Sequence, residues 1–102
     1  MASIGVPTEI KADELRVALT PDGVKELVTQ GLEVKVQSGA GQGVGLTDDS
    51  FAKAGAIIVD RDEAWSAHLV VKVKEPQEEE FKFLREDMVL LTYLHLAAYL
   101  KV

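Results

Sequence analysis

The sequence predicts an α/β fold: a three-layer, flavodoxin-like or Rossmann-like domain on a five-stranded parallel sheet. Three observations carry that expectation. Short apolar segments alternate five times with segments of helical pattern or turn chemistry, which makes the intervening pieces crossovers between parallel strands. The run MVLLTYLHLAA at 88–98 is nearly uninterrupted in apolar residues, as in a strand buried on both faces. The segment 32–37 (LEVKVQ) instead alternates apolar and polar residues, which points to a strand with one solvated face at a sheet edge. With strand two at an edge, the expected strand order is 2-1-3-4-5.

Taken in order, Ile4, Gly5 and Val6 open a short first strand that Pro7 ends. The loop 8–19 (TEIKADELRVAL) is longer than a typical strand-to-helix connection, and such loops are often functional. Thr20 is a good N-cap, Pro21 suits the first helical position and Asp22 complements the dipole. Val24, Leu27 and Val28 form the helix's apolar stripe, and Gly31 stops it. After the second strand, SGAGQGVG at 38–45 is an irregular turn. Thr47 caps a short helix at 48–54 anchored by Phe51, and 57–59 (IIV) is strand three. Residues 60–65 give at most a turn or two of helix. Strand four spans 69–74, Pro76 ends it, and 77–85 reads as a helix with acids in its first turn and Phe81 and Leu84 as its apolar contact. The run from Met88 is the fifth strand. The chain ends four residues after Ala98, where a covering helix is expected to begin, so the fold reads as truncated after strand five.

At 102 residues, positions 1–102 are expected to form one domain. A domain of this size buries roughly 60–65% of its extended-chain surface, enough for a core with little to spare. Cysteine is absent, which excludes a disulfide framework and a thiolate metal site. The net charge of −6 argues against nucleic acid as the main partner. No apolar run approaches the ~20 residues of a membrane span, and MASIGVPTEI lacks a charged start and an apolar signal core. No membrane partner is therefore expected, and the expected setting is cytoplasmic.

Three side chains could carry chemistry. His95 interrupts the fifth strand where it should end, and ligands of open α/β sheets bind at the carboxyl ends of strands. An imidazole there can transfer protons; the alternative is a core histidine bonded to a backbone carbonyl. Lys74 ends strand four, beside His95 if strands four and five are neighbours; the alternative is an exposed end-of-strand lysine. Its companion Lys72 is expected to reach past a helix to solvent, since lysines are rarely buried unpaired. Arg16 lies in the long loop between Leu15 and Val17, where a guanidinium can hold a carboxylate through two parallel hydrogen bonds; the alternative is an ion pair with Glu9, Asp13 or Glu14. All three fall at carboxyl ends of strands, on one rim. Together they suit a small carboxylate with a polarised carbonyl.

Gly39, Gly41, Gly43 and Gly45 resemble a phosphate cradle, with Asp60 about where a ribose-binding acid falls. The dinucleotide fingerprint, however, needs glycine at position 44, which is Val. These glycines therefore read as backbone turns, and no cofactor is expected to bind this chain. His68 reads as a surface residue, Trp65 as core or interface, and two histidines without a ligand cluster do not support a metal site.

The segments IGVPTEIKADELRVALTPDGVKELV, VQSGAGQG, VVKVKEP and LLTYLHLAA together resemble the N-terminal region of the L-alanine dehydrogenase family over residues 3–98. The related region of proton-translocating transhydrogenase is a weaker match, and its last segment lacks the histidine. The resemblance implies a parallel α/β substrate domain paired with a separate dinucleotide-binding domain, absent here. It implies reversible conversion of alanine and NAD to pyruvate, ammonium and NADH. By motif, Arg16 in LRVALTP would hold the substrate carboxylate, Lys74 in KVKEP would bind and polarise the pyruvate carbonyl oxygen, and His95 in YLHLAA would be the acid/base. NAD is expected for the full-length family member, and this chain alone is expected to be inactive. An uncovered fifth strand would favour a homo-oligomer. Two other readings stay open: a non-catalytic assembly or partner-binding module that keeps the fold, and a transhydrogenase-related subunit fragment, which His95 disfavours.

Overall fold

A computed structural model describes residues 2–92. Five strands, β1 (Ser3–Val6), β2 (Glu33–Gln37), β3 (Ile57–Val59), β4 (Leu69–Lys72) and β5 (Val89–Thr92), form one sheet in which every pairing is parallel. Three helices connect them: α1 (Pro21–Thr29), α2 (Asp48–Lys53) and α3 (Arg61–Trp65). The helix starts follow from side chains that satisfy free amides. Thr20, Thr47 and Asp60 accept from the amides of Gly23, Ser50 and Glu63 at 3.2, 3.1 and 2.9 Å. Gly31, beyond the end of α1, takes φ 91°, a conformation favoured for glycine.

The sheet has a helical layer on each side. Ile4, Val6, Val34, Val36 and Val71 share one core with Val24 of α1 and Phe51 of α2. On the opposite face α3 lies against β1 and β2. Its approach requires Gly5, because a Cβ there would sit 1.8 Å from the Ala64 carbonyl oxygen. Trp65 is buried and stacks on Phe83, with ring centroids 5.3 Å apart.

The α/β class and the all-parallel five-stranded sheet match the expectation. The strand sequence across the sheet is β3-β2-β1-β4-β5, so β3 lies outside β2 and not between β1 and β4 as the written order 2-1-3-4-5 had it. The reason lies on the polar face of β2. Lys35 meets Glu63 of α3 at 3.1 Å and Glu33 of its own strand at 3.7 Å, so that face is partly covered by a helix carrying complementary charge. Alternation in 32–37 marks a polar covering layer, and the outer position belongs to β3, whose Ile57 is exposed.

Other elements depart in detail. β5 has alternating exposure, with Val89 at 62% and Leu91 at 47%, so its described part is not buried on both faces. It has β4 as its one strand neighbour, and among the described residues no helix packs on the Val89 and Leu91 face. The segment expected as a helix at 77–85 is a 3-10 helix at Glu78–Phe83. Phe81 and Leu84 are exposed, while Glu80 and Phe83 turn toward Lys72 and Trp65. That three-residue spacing is the period of a 3-10 helix. Lys72, expected to reach solvent, is fully buried.

Candidate functional site

The order β2-β1-β4 fixes where a ligand crevice can form. The chain winds outward from β1 through β2 and β3, then crosses back to β4 and β5. The winding reverses between β1 and β4, and the carboxyl ends of those two strands flank the crevice. Loop 8–19 leaves β1 there, and Val73 and Lys74 follow β4 there.

Two ionic contacts sew these segments together. Lys11 of the loop meets Glu75 at 2.6 Å. More deeply, the Glu9 carboxylate accepts from the Val73 amide at 2.8 Å, the Lys74 amide at 3.3 Å and the Lys72 ammonium at 2.9 Å. Glu80 completes the set, its Oε2 lying 3.4 Å from Lys72 Nζ and its Oε1 accepting from the Gln77 amide at 2.9 Å. The Lys72 side chain is 1% exposed, so its charge is out of water and depends on these two carboxylates.

Arg16 is held differently. Its Nε and Nη2 donate to the two oxygens of Glu14 at 2.9 and 2.8 Å, and its backbone amide donates to the same carboxylate at 2.9 Å. Glu14 is buried, while the Arg16 side chain stays 53% exposed. The hydrogen bond from the guanidinium holds the Glu14 carboxyl below its ordinary value against the opposing effect of burial; the Arg16 amide and charge and the Lys74 charge add to the lowering. The guanidinium is correspondingly raised, by its hydrogen bond to Glu14 first and, more weakly, by the charges of Glu14 and Glu9. Glu14 thus feels both Arg16 and Lys74, and Arg16 feels Glu9. The loop after β1 and the end of β4 form one electrostatic neighbourhood.

A cleft of about 280 Å³ opens beside Arg16, lined by Thr8, Glu9 and Glu14 on one side and by Gly39 and Gly43 of the glycine segment on the other. Thr8 Oγ1 is buried and makes no hydrogen bond among the described residues. Gly43 permits the close approach of the two walls, because a Cβ there would stand 2.6 Å from the Leu15 carbonyl oxygen. The glycine segment holds an internal carboxylate. Asp48 accepts from Ser38 Oγ at 2.6 Å and from the Gly39 amide at 2.8 Å, so the Gly39 amide is already bound by a carboxylate of the chain.

Of the residues predicted from sequence, Arg16 lines the cleft and Lys74 does not, but the loop that carries Arg16 reaches the end of β4 through Glu9, which accepts from the Lys74 amide. Lys74 makes no side-chain hydrogen bond or ion pair among the described residues. The alternative partner Glu14 does bind Arg16, along one edge of the guanidinium. His95 lies outside the described residues. Sequence reasoning named Glu9 as one possible partner of Arg16 and not as the partner of Lys72, did not single out Glu80, and placed Lys72 wrongly. The available signal was a lysine inside an interior strand, which demands buried acids from elsewhere in the chain.

Comparison with known proteins gives a consistent set of relatives. The family model "Alanine dehydrogenase/PNT, N-terminal domain" matches residues 5–102. The alanine dehydrogenase of Bacillus subtilis (strain 168) is 53% identical over 96 residues, which are 93% of this chain and 25% of that protein. That of Mycolicibacterium smegmatis is 54% identical over 97 residues, 93% of this chain and 26% of that protein. Among solved structures, an L-alanine dehydrogenase superposes with a TM-score of 0.88 at 47% identity, covering 94% of this chain and 27% of the other. A transhydrogenase from Sinorhizobium meliloti superposes with a TM-score of 0.85 at 28% identity, covering 97% and 30%. The chain spans about a quarter of the length of the curated relatives named here.

Proposed function

The chain belongs to the alanine dehydrogenase/PNT N-terminal domain family, and from that premise we propose that it is the substrate-binding portion of an enzyme interconverting L-alanine and pyruvate in the cytoplasm. The observation that carries the proposal is the meeting of the Arg16 loop and the end of β4 at the β1–β4 crevice, through Glu9 and Glu14.

Each side chain then has a task. Glu14 takes the Nε–Nη2 edge of Arg16 and fixes the guanidinium plane, leaving its remaining N–H groups for a substrate carboxylate. The Lys74 ammonium, not committed to a hydrogen bond among the described residues, approaches the keto oxygen of pyruvate and polarises the carbonyl toward addition of ammonia. His95, from the segment following β5, exchanges the proton that carbinolamine formation and breakdown require; an imidazole with an ordinary pKa of ~6.5 suits that work near neutrality. NAD, supplied from outside the residues described here, would accept or return the hydride. By this reading the isolated chain binds substrate without turning it over.

Calorimetric titration with pyruvate tests the proposal. Binding by the wild-type chain that weakens by about tenfold or more in both Arg16→Ala and Lys74→Ala supports it. Absence of binding by the wild type overturns it in favour of a non-catalytic assembly module. Mixing the chain with alanine and NAD should give no steady rise in NADH absorbance; robust turnover contradicts the inactive-alone reading. The exposed Val89 and Leu91 favour self-association along β5, and sedimentation showing only monomer at high concentration contradicts that part.

A further inference from the structure

The residue that sets the position of Lys74 is not among those the proposed chemistry uses. β4 ends at Lys72, so the amides of Val73 and Lys74 lie beyond the parallel ladder. Buried or half-buried amides in that position need acceptors from elsewhere. Both are taken by the Glu9 carboxylate, Oε2 from Val73 at 2.8 Å and Oε1 from Lys74 at 3.3 Å. The same Oε1 accepts from Lys72 Nζ at 2.9 Å. Glu9 belongs to the loop that carries Arg16 seven positions later.

We infer that Glu9 is the positioning residue of the site: its buried carboxylate, locked by Lys72, fixes the Lys74 backbone relative to the Arg16 loop. Three features support this. The Glu9 side chain is as fully buried as that of Lys72, so it cannot swing away to water. Lys72 is in turn held from the far side by Glu80, whose second oxygen accepts from the Gln77 amide, so the anchor is itself anchored. One carboxylate also contacts three donors in different directions, which leaves it little orientational freedom. The consequence is a preorganised distance between a guanidinium and an ammonium carried on segments some sixty residues apart.

The inference rests on the pyruvate-binding reading for its functional consequence, but its structural content is measured separately. Glu9→Gln keeps the shape and one acceptor and removes the charge. At a temperature well below its melting point, amide hydrogen exchange at Val73 and Lys74 should accelerate strongly against an unchanged exchange pattern in β1 and β2. Pyruvate affinity of the folded variant should fall by about tenfold or more. A merely structural Glu9 would lower the melting temperature and leave the affinity of the folded molecules unchanged, and that result overturns the inference. If Glu9→Gln does not fold, the triple variant Glu9→Gln/Lys72→Met/Glu80→Gln removes all three buried charges and serves in its place. Wild-type exchange at Val73 and Lys74 together with wild-type affinity in the triple variant overturns the inference. Glu9→Asp, which keeps the charge on a shorter arm, should recover part of the affinity; recovery no better than that of Glu9→Gln contradicts a role for the charge. If the wild-type chain binds no pyruvate, the functional reading fails, while the exchange data still decide whether Glu9 clamps this backbone.

Discussion

Two ion clusters lie a few residues apart along the β1 loop and solve opposite problems. In one, Lys72, Glu9 and Glu80 are removed from water and can persist only because each finds a partner. In the other, Arg16 is half in solvent, bound along one edge by Glu14. The first gives the crevice a fixed frame. The second leaves a cationic surface that an incoming anion can reach. Burial, more than charge type, separates the group that holds the site from the group that meets a ligand.

The largest expected effect breaks the buried cluster. Lys72→Met leaves two carboxylates in a dry environment and should destabilise the fold by about 3–5 kcal/mol, measured by urea unfolding. Neutralising all three members, Glu9→Gln/Lys72→Met/Glu80→Gln, should recover most of that loss, because no uncompensated charge remains. A triple variant as unstable as Lys72→Met would show that the cluster contributes more than mutual compensation.

Next in size is the glycine wall of the cleft, which lies against the Arg16 loop. Gly43→Ala brings a Cβ to 2.6 Å from the Leu15 carbonyl oxygen, a backbone atom that cannot rotate away. A cost of about 1–3 kcal/mol is expected, accompanied by weaker pyruvate binding because the Arg16 loop is displaced. Unchanged stability would mean that the loop yields freely, and the contrast between a fixed frame and an accessible cation would lose one of its supports.

The smallest effect belongs to the pair of buried Glu14 and half-exposed Arg16. Glu14→Gln should lower stability far less than Lys72→Met, since a half-solvated partner is screened. Its pH dependence is more informative. The folded-state pKa of Glu14 is depressed, as is that of Asp48 through its hydrogen bonds from Gly39 and Ser38. A depressed carboxyl stabilises the fold fully above its unfolded value, about 4.3 for Glu and 3.9 for Asp, and that contribution is lost as pH falls through the lower folded-state value. The stability gap between wild type and Glu14→Gln should therefore be present at neutral pH and close in acid. A gap that widens on acidification contradicts the assigned sign.

Much of the fold was legible because its signals are local. Thr20 and Thr47 announced the helix starts, and Gly31 the end of α1. The strand order was not legible from the pattern of β2. Glu33 and Lys35 read the same whether their face meets water or the acidic side of a helix, and Glu63 supplies the second case from 28 residues beyond Lys35. At the site, Arg16 and Lys74 were legible as cations at strand ends. Glu14 was legible as one possible partner of Arg16, but the buried cluster was not, because Glu9 lies 63 residues from Lys72 and nothing in their spacing relates them.

The most direct measurement follows the two cations together. With side-chain nitrogens labelled, pyruvate is titrated into the chain and the Arg16 guanidinium and Lys74 ammonium resonances are followed by NMR. One anion held by both predicts that the two signals shift along a single saturation curve and that Arg16→Ala abolishes the response at Lys74. Shifts with different midpoints, or a Lys74 response indifferent to Arg16, would contradict a shared site.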